Sequence, residues 1–537
     1  MKLVKSLFLS IITLISCFTF SIGCGSDKVE IVLEKSSVEL AVGESYSVQV
    51  KTFTVNGTAM DKGLIEYSSS DDSVVTVNNG VVTALKNGSA TVSAKYSQTK
   101  VNLMVIVVNK TCLLEFSKDT VNLALGLKEQ ADLPIKTFTL DGQSADTTLL
   151  NCVSSNPAVA TVSNGKVIAV GKGETIINVT YGTLSKPLTV HVHELVSATD
   201  VFALNQNAVL LQGRTYRDGS DIVFDNANSG IEINFYGTEL RVCLDAPAVS
   251  VGNYSYVACF IDGEQVGLTK LDKTGEYYYP LASGLTNDVH TALILKATES
   301  FMNGVGSSRI TMTAIYQNEK CTLLTPPTRE NRLKIDFYGD SISSGYGNLG
   351  TINSPQFITA EQDGTMTYAS ITGRSLNALV SIISCSGISA KVSFYDNPDL
   401  SIYNTWDKYS IINAENYAID PDTDYVVINL GTNDANAISQ LGYTANDYKS
   451  DFLSLLTSMK GKYTGDTKFI WCYGMMGENE LVKEGVELAL AELGGESSGM
   501  YYLKLPQNQQ GAQTHPTVEG HKAGASVLTQ FINSLKN

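Results

Sequence analysis

The chain has 537 residues, 43% of them hydrophobic and 17% charged, with abundant Gly and Tyr. That length is too great for one hydrophobic core and predicts about three to five domains, while the composition excludes a disordered tail and points to a protein rich in β structure. A net charge of -16 disfavours nucleic acid and anionic lipid, which demand a basic surface, and leaves neutral polysaccharide compatible.

The N-terminus reads Met1-Lys2-Leu3-Val4-Lys5, then an apolar run at residues 7–22, then Gly23-Cys24-Gly25-Ser26-Asp27. A basic start, a short apolar stretch and a small residue directly before Cys form an export signal rather than a structural element. Residues 1–24 resemble a bacterial lipoprotein signal, which implies that Cys24 becomes the lipidated first residue of the mature protein. Ser21 stands three before that Cys, where Leu is more usual, so cleavage without lipidation is the alternative. No later segment approaches the ~20 consecutive apolar residues of a membrane span. The expected location is extracytoplasmic, at the bacterial envelope or surface, with the membrane reached only through the lipid anchor.

Seven cysteines follow Cys24: Cys112, Cys152, Cys243, Cys259, Cys321, Cys385 and Cys472. Cys112 with Cys152, or Cys243 with Cys259, are conceivable bridges in an exported protein. An odd count without C-x-x-C spacing favours buried single thiols and argues against a structural metal.

An internal repeat comes next. Lys51-Thr52-Phe53-Thr54-Val55-Asn56-Gly57 recurs as Lys136-Thr137-Phe138-Thr139-Leu140-Asp141-Gly142, and the same offset of 85 places Val77 on Val162 and Gly88 on Gly173. Short alternating strands punctuated by Asn79-Gly80 and Asn164-Gly165 are hairpin chemistry, and they predict two β-sandwiches at residues 27–109 and 110–194. Their Ser-Ser, Val-x-Thr-Val, Asn-Gly and Lys-x-Gly steps resemble bacterial immunoglobulin-like domains of group 2. That resemblance implies a spacer or an adhesion module. Neither copy has an aromatic cluster able to stack on sugar, which favours the spacer.

Residues 196–320 predict a further, jelly-roll-like β-sandwich, with alternating strands at Ile231-Glu232-Ile233-Asn234-Phe235 and Tyr256-Val257-Ala258-Cys259-Phe260. After Thr325-Pro326-Pro327-Thr328, read as a linker, the pattern changes. Apolar strands at residues 333–338, 380–384, 425–430, 469–472 and 501–505 alternate with helical stretches at 367–379, 447–460, 480–493 and 518–535. Residues 331–537 therefore form an α/β domain whose mostly parallel sheet is covered on both faces.

Reactive groups in such a sheet collect at the carboxyl ends of its strands. Gly339-Asp340-Ser341 follows the first strand, Gly387 the second, Gly431-Thr432-Asn433-Asp434 the third, and His515-Pro516 precedes the last helix. These blocks supply a nucleophile, a base and oxyanion donors, the three needs of a serine esterase. They resemble the SGNH hydrolases, also called the GDSL family. With a β-sandwich placed directly before them, they are similar to carbohydrate esterase family two, whose members remove O-acetyl groups from xylan- and mannan-type polysaccharides. Carried over block by block, the resemblance implies Ser341 as nucleophile, His515 as base, and Ser341, Gly387 and Asn433 as oxyanion donors, with no cofactor and no metal. Acetylated polysaccharide or oligosaccharide is the implied substrate.

One part departs from the pattern. Three residues before the His, where an Asp is usual, stands Ala512, and Gly511-Ala512-Gln513-Thr514 contains no acid. A backbone carbonyl holding the imidazole would make a Ser-His dyad. The competing readings are a surface adhesion or glycan-binding protein with a silent esterase domain, and a lipase or thioesterase of the same fold. Asp340 and Asp434 read as loop-supporting residues and His521 as a packing residue. His191 and His193 share a strand face without a third ligand nearby. Trp406, on the loop after the second strand, reads equally as a sugar-stacking platform or as a core anchor.

Overall fold

The computed structural model describes residues 27–108, 110–196, 208–248, 250, 252–302, 306–354, 358–391 and 401–536. Cys24 and its expected lipidation lie outside them. The described residues divide into two compact units. One holds residues up to Asp119 with Leu133–Ser155 and Ile176–Leu188; the other holds Thr120–Asp132, Asn156–Thr175 and the chain from Thr189 onward.

The repeat is structural as well as sequential. The offset of 85 carries strand Val50–Val55 onto Ile135–Leu140 and strand Gly88–Tyr96 onto Gly173–Tyr181. Val29–Leu33 pairs with Val50–Val55, as Cys112–Phe116 pairs with Ile135–Leu140, and in each copy a short strand (Ser37–Ala41, Thr120–Ala124) lies parallel to the last one. All seven cysteines among the described residues are free, and Cys243, Cys259, Cys321, Cys385 and Cys472 are buried, so neither conceivable bridge forms.

The next sandwich is one nine-stranded sheet folded over a single core that includes Phe224, Ile233, Phe235, Val242, Leu244, Ile294 and Met312. Its fold is made by the 16-residue strand Gly230–Asp245. Register shifts between Gly237 and Glu239 and between Leu240 and Arg241 break that strand into two halves. The first half pairs with Cys321–Leu324 and the second with Ile310–Ile315. A bulged corner of this kind lets one strand serve both layers.

The C-terminal sheet has strands β1 (Lys334–Gly339), β2 (Leu379–Ser384), β3 (Tyr425–Asn429), β4 (Lys468–Tyr473) and β5 (Met500–Lys504), all parallel, in the order β2-β1-β3-β4-β5. Between them run α1 (Ser341–Ser344), α2 (Tyr368–Ser375), α3 (Ile402–Thr405), α4 (Thr432–Leu441), α5 (Ala445–Lys460) and α6 (Glu480–Glu492), and α7 (Val518–Ser534) closes the chain. Alternation along β1 decides which helices cover which face. Ile335 and Phe337 pack with Ala525 and Leu528 of α7, whereas Tyr338 packs with Phe452 of α5 and Val486 of α6. Helix α2 is shorter than the predicted stretch to 379, because Asn377 turns the chain at φ 49° into β2. The order of strands reverses around β1, which makes the carboxyl ends of β2, β1 and β3 a crevice between neighbouring strands.

This sheet does not stand alone. Arg214 of the sandwich, fully buried, donates from Nε to Ser381 Oγ (3.1 Å), from Nη1 to the carbonyls of Trp406 (2.7 Å) and Lys408, and from Nη2 to Tyr338 OH (3.0 Å). Tyr338 OH is 2.7 Å from Tyr463 OH, which donates to buried Asp336 at 2.7 Å. Asn226 and Asn228 of the sandwich donate to the carbonyls of Tyr409 and Gly364, each at 2.7 Å. The Thr325-Pro326-Pro327-Thr328 stretch thus joins two domains that share buried polar contacts.

Candidate active site

Asp340 follows β1 and caps α1, its carboxylate accepting from the Ile342 N–H at 2.9 Å. That cap sets Ser341 at the first position of a helical turn, with its backbone N–H unclaimed by the helix. Burial and the neighbouring charge of Asp434 push the Asp340 carboxyl up to about 7, and burial pushes Asp434 up to about 6. Asp434 accepts from the Ala390 N–H at 3.0 Å, which agrees with a supporting role for both acids.

His515 follows the turn Ala512–Thr514, in which Gln513 and Thr514 take φ of 50° and 63°. Two successive left-handed residues are strained for side chains of this type. They aim two carbonyls at one ring nitrogen: His515 Nδ1 lies 3.2 Å from Ala512 O and 3.2 Å from Gln513 O. The Nδ1 hydrogen is therefore held by backbone, and Nε2 is left as acceptor for Ser341 Oγ, 2.8 Å away. Ala512 is fully buried. A Cβ added to Gly347 would stand 2.7 Å from the Ala512 Cβ, and one on Gly350 2.8 Å, so glycine at both positions lets the chain pass close to the Ala512 methyl.

The oxyanion candidates lie on the turns after β2 and β3. Gly387 occupies the turn after β2 at φ 82°. Asn433 is the second residue of α4, whose first turn starts from Gly431 at φ 126°; a Cβ there would meet Val482 at 2.8 Å and Tyr473 at 3.0 Å. Asn433 Nδ2 donates to Ile388 O at 2.9 Å, tying α4 to the Gly387 turn, and lies 3.5 Å from Asp340 Oδ2. The longer contact holds its amide hydrogen only weakly.

Burial lowers the His515 pKa below the ordinary 6.5, and the Ala512 and Gln513 carbonyls offset part of that shift. As a candidate base His515 would have to be neutral to act, so activity that depends on it is lost as pH falls through this lowered value. The acid limb of kcat/KM for an aryl acetate is expected at a midpoint below 6.5. A limb at or above that value would contradict the geometry.

Trp406 is placed in the core, 4% exposed and packed with Ile388, Ile402 and Phe469. Its ring is not open as a stacking platform, and the anchoring role is the one the burial supports. His521 is fully buried, its Nδ1 accepting from the Tyr368 N–H at 3.2 Å. His191 Nδ1 lies 3.3 Å from Glu174.

The motifs did not point to Tyr346. Its ring centroid lies 4.5 Å from that of His515, its N–H donates to Ser341 O at 3.0 Å, and its hydroxyl donates to Gln513 Oε1 at 2.8 Å. It thereby links the nucleophile turn to the turn that orients the base. Its position five residues after Ser341 was the one available signal.

Comparison with known proteins bears on this geometry. Residues 211–327 match the N-terminal domain of carbohydrate esterase 2, and residues 29–103 match the bacterial Ig-like domain of group 2. The cellulase/esterase CelE of Acetivibrio thermocellus is 28% identical over 330 residues, which are 57% of this chain and 37% of that relative, so the chain spans well under half of its length. A family two carbohydrate esterase from Clostridium thermocellum, solved in complex with cellohexaose, is 26% identical with a TM-score of 0.53, over 61% of this chain and 99% of that one. An acetyl xylan esterase from the rumen bacterium Butyrivibrio proteoclasticus has the same fold, at 21% identity and a TM-score of 0.55, over 63% of this chain and 97% of that one. Joined to a serine hydroxyl 2.8 Å from an imidazole at the end of a parallel sheet, these likenesses make the chain similar to the carbohydrate esterases of family two, with a bacterial Ig-like domain ahead of the matching part.

Proposed function

We propose that the protein removes O-acetyl groups from xylan- or mannan-type polysaccharide through an acetyl-serine intermediate, using Ser341 and His515 as a dyad. The observation that carries this reading is the pair of contacts made by His515. Nε2 meets Ser341 Oγ at 2.8 Å while Nδ1 meets two carbonyls at 3.2 Å, and the residue three before the His is a buried Ala rather than an acid.

In the proposed cycle Ser341 Oγ attacks the acetyl carbonyl as its proton passes to His515 Nε2. The backbone N–H groups of Ser341 and Gly387 and the Asn433 amide receive the developing oxyanion. His515 then returns the proton to the departing sugar oxygen, leaving acetyl-Ser341. Water, deprotonated by His515, attacks that ester, and acetate leaves as the serine hydroxyl is restored. A carbonyl offers less charge stabilisation to the imidazolium than a carboxylate does. Acetyl esters, with an acetate-sized acyl group and no need for a long pocket, suit a site of this strength. The Ig-like repeats act in this reading as a spacer between lipidated Cys24 at the cell surface and the catalytic unit.

Acetate release from acetylated xylan, acetylated glucomannan and O-acetylated sialoglycans, each against a Ser341→Ala control, tests the substrate. Release from the first two is expected. Release from none of the three above the control would defeat the carbohydrate reading while leaving aryl-acetate hydrolysis as a separate measure of the esterase.

A further inference from the structure

The strand Tyr277–Lys296 of the sandwich ends against the catalytic domain, and the next residues, Ala297, Thr298, Glu299 and Ser300, are fully buried. Lys296, itself fully buried, folds its ammonium back to donate to the carbonyls of Asp225 (2.8 Å), Thr298 (2.7 Å) and Glu299 (2.9 Å). Three carbonyls around one ammonium lock the turn that aims the Glu299 side chain. That carboxylate reaches across the domain boundary: Oε2 accepts from the Ser386 N–H at 2.7 Å and Oε1 from Ser386 Oγ at 2.9 Å. The Ser344 hydroxyl donates to Ser384 Oγ at 2.9 Å, and the Glu299 N–H donates to Gln362 Oε1 at 3.5 Å. Gln362 runs alongside, donating to Ser344 O at 3.0 Å.

Ser386 is the residue before Gly387, and Ser344 closes the helical turn that begins at Ser341. We infer that Glu299 is a positioning residue of the oxyanion site: its carboxylate holds Ser386 beside the Gly387 turn, its N–H is tied through Gln362 to the nucleophile turn, and one residue of the sandwich domain so sets the relative placement of their N–H donors. The inference rests on the esterase reading given above. Two bonds to a single residue, through its amide and its hydroxyl, restrict Ser386, whose carbonyl carbon bears the Gly387 N–H. Burial by itself favours the neutral acid, and the Ser386 donors together with Lys296 favour the carboxylate. Oxyanion donors act only where they already point at the developing charge, so a small displacement lowers kcat and leaves substrate binding largely alone.

The test uses the full chain, an aryl acetate, and a phosphonate that traps Ser341 through the same tetrahedral geometry. Wild-type turnover that Ser341→Ala abolishes establishes the esterase first, so failure of that reading is seen separately. Glu299→Gln is then expected to lower kcat by about 30-fold and phosphonylation by a similar factor, with KM within about twofold. Ser386→Ala keeps the amide bond and loses the hydroxyl bond, and is expected to cost about 3- to 10-fold in kcat. If Glu299→Gln does not fold, Ser386→Ala decides by the same criteria. Turnover within twofold of wild type in the folded variants, or a loss of kcat with unchanged phosphonylation, overturns the inference.

Discussion

Ser341→Ala is expected to lower kcat for an aryl acetate by about 10⁴-fold or more, His515→Ala by a similar factor, and the double variant by no more than either alone. The reason is that, in the proposed dyad, the hydroxyl and the imidazole work as one device. At 2.8 Å His515 Nε2 is within hydrogen-bond reach of the Ser341 hydroxyl proton, so loss of either side chain removes the same proton transfer. Turnover that survives measures what the oxyanion donors and binding supply without a nucleophile. Multiplicative losses in the double variant would show that the two residues act independently, which this geometry does not allow.

Arg214→Ala is expected to destabilise the catalytic domain by about 3–5 kcal/mol, although Arg214 belongs to the sandwich. Removing a fully buried guanidinium leaves the Trp406 and Lys408 carbonyls without their donor and Asp336 without the positive charge that offsets its burial. Urea unfolding followed by tryptophan fluorescence checks this cleanly. The chain has two tryptophans, Trp406 and Trp471, 4% and 1% exposed, and both lie in the catalytic core. A shift below about 1 kcal/mol would mean that the two domains are coupled less tightly than the hydrogen bonds indicate.

Apolar runs bounded by turns were enough to read all five strands of the sheet to within a residue or two; β1 to β4 are buried on both faces, whereas β5 is only partly covered. Helices α5, α6 and α7 were legible for the same reason, having a continuous apolar stripe. Helix α4 was not. Thr432-Asn433-Asp434-Ala435-Asn436 is poor in helix formers, and the helix exists because Gly431 starts it and Asp434 and Ile438 are held in the core. The blocks at Ser341, Gly387, Asn433 and His515 were legible as short motifs. Their supports were not: Arg214 and Glu299 act on residues more than eighty positions away, and a contact of that separation leaves no periodic trace in one sequence. Trp406 shows the limit from the other side, because an aromatic on a loop carries no mark of whether its ring faces solvent or the sheet.

A gene rearrangement or an expression plan that kept residues 331–537 alone would carry the nucleophile and the base, and would look complete by its motifs. It would leave behind the guanidinium that Asp336 faces and the carboxylate that holds Ser386. The proline-containing stretch at residues 325–328 is a joint in the chain but not in the folded molecule. What can be inherited or transplanted as a working esterase is the sandwich and the sheet together, as one indivisible cassette, whereas the repeats ahead of it contribute no residue to the dyad or to the proposed oxyanion donors.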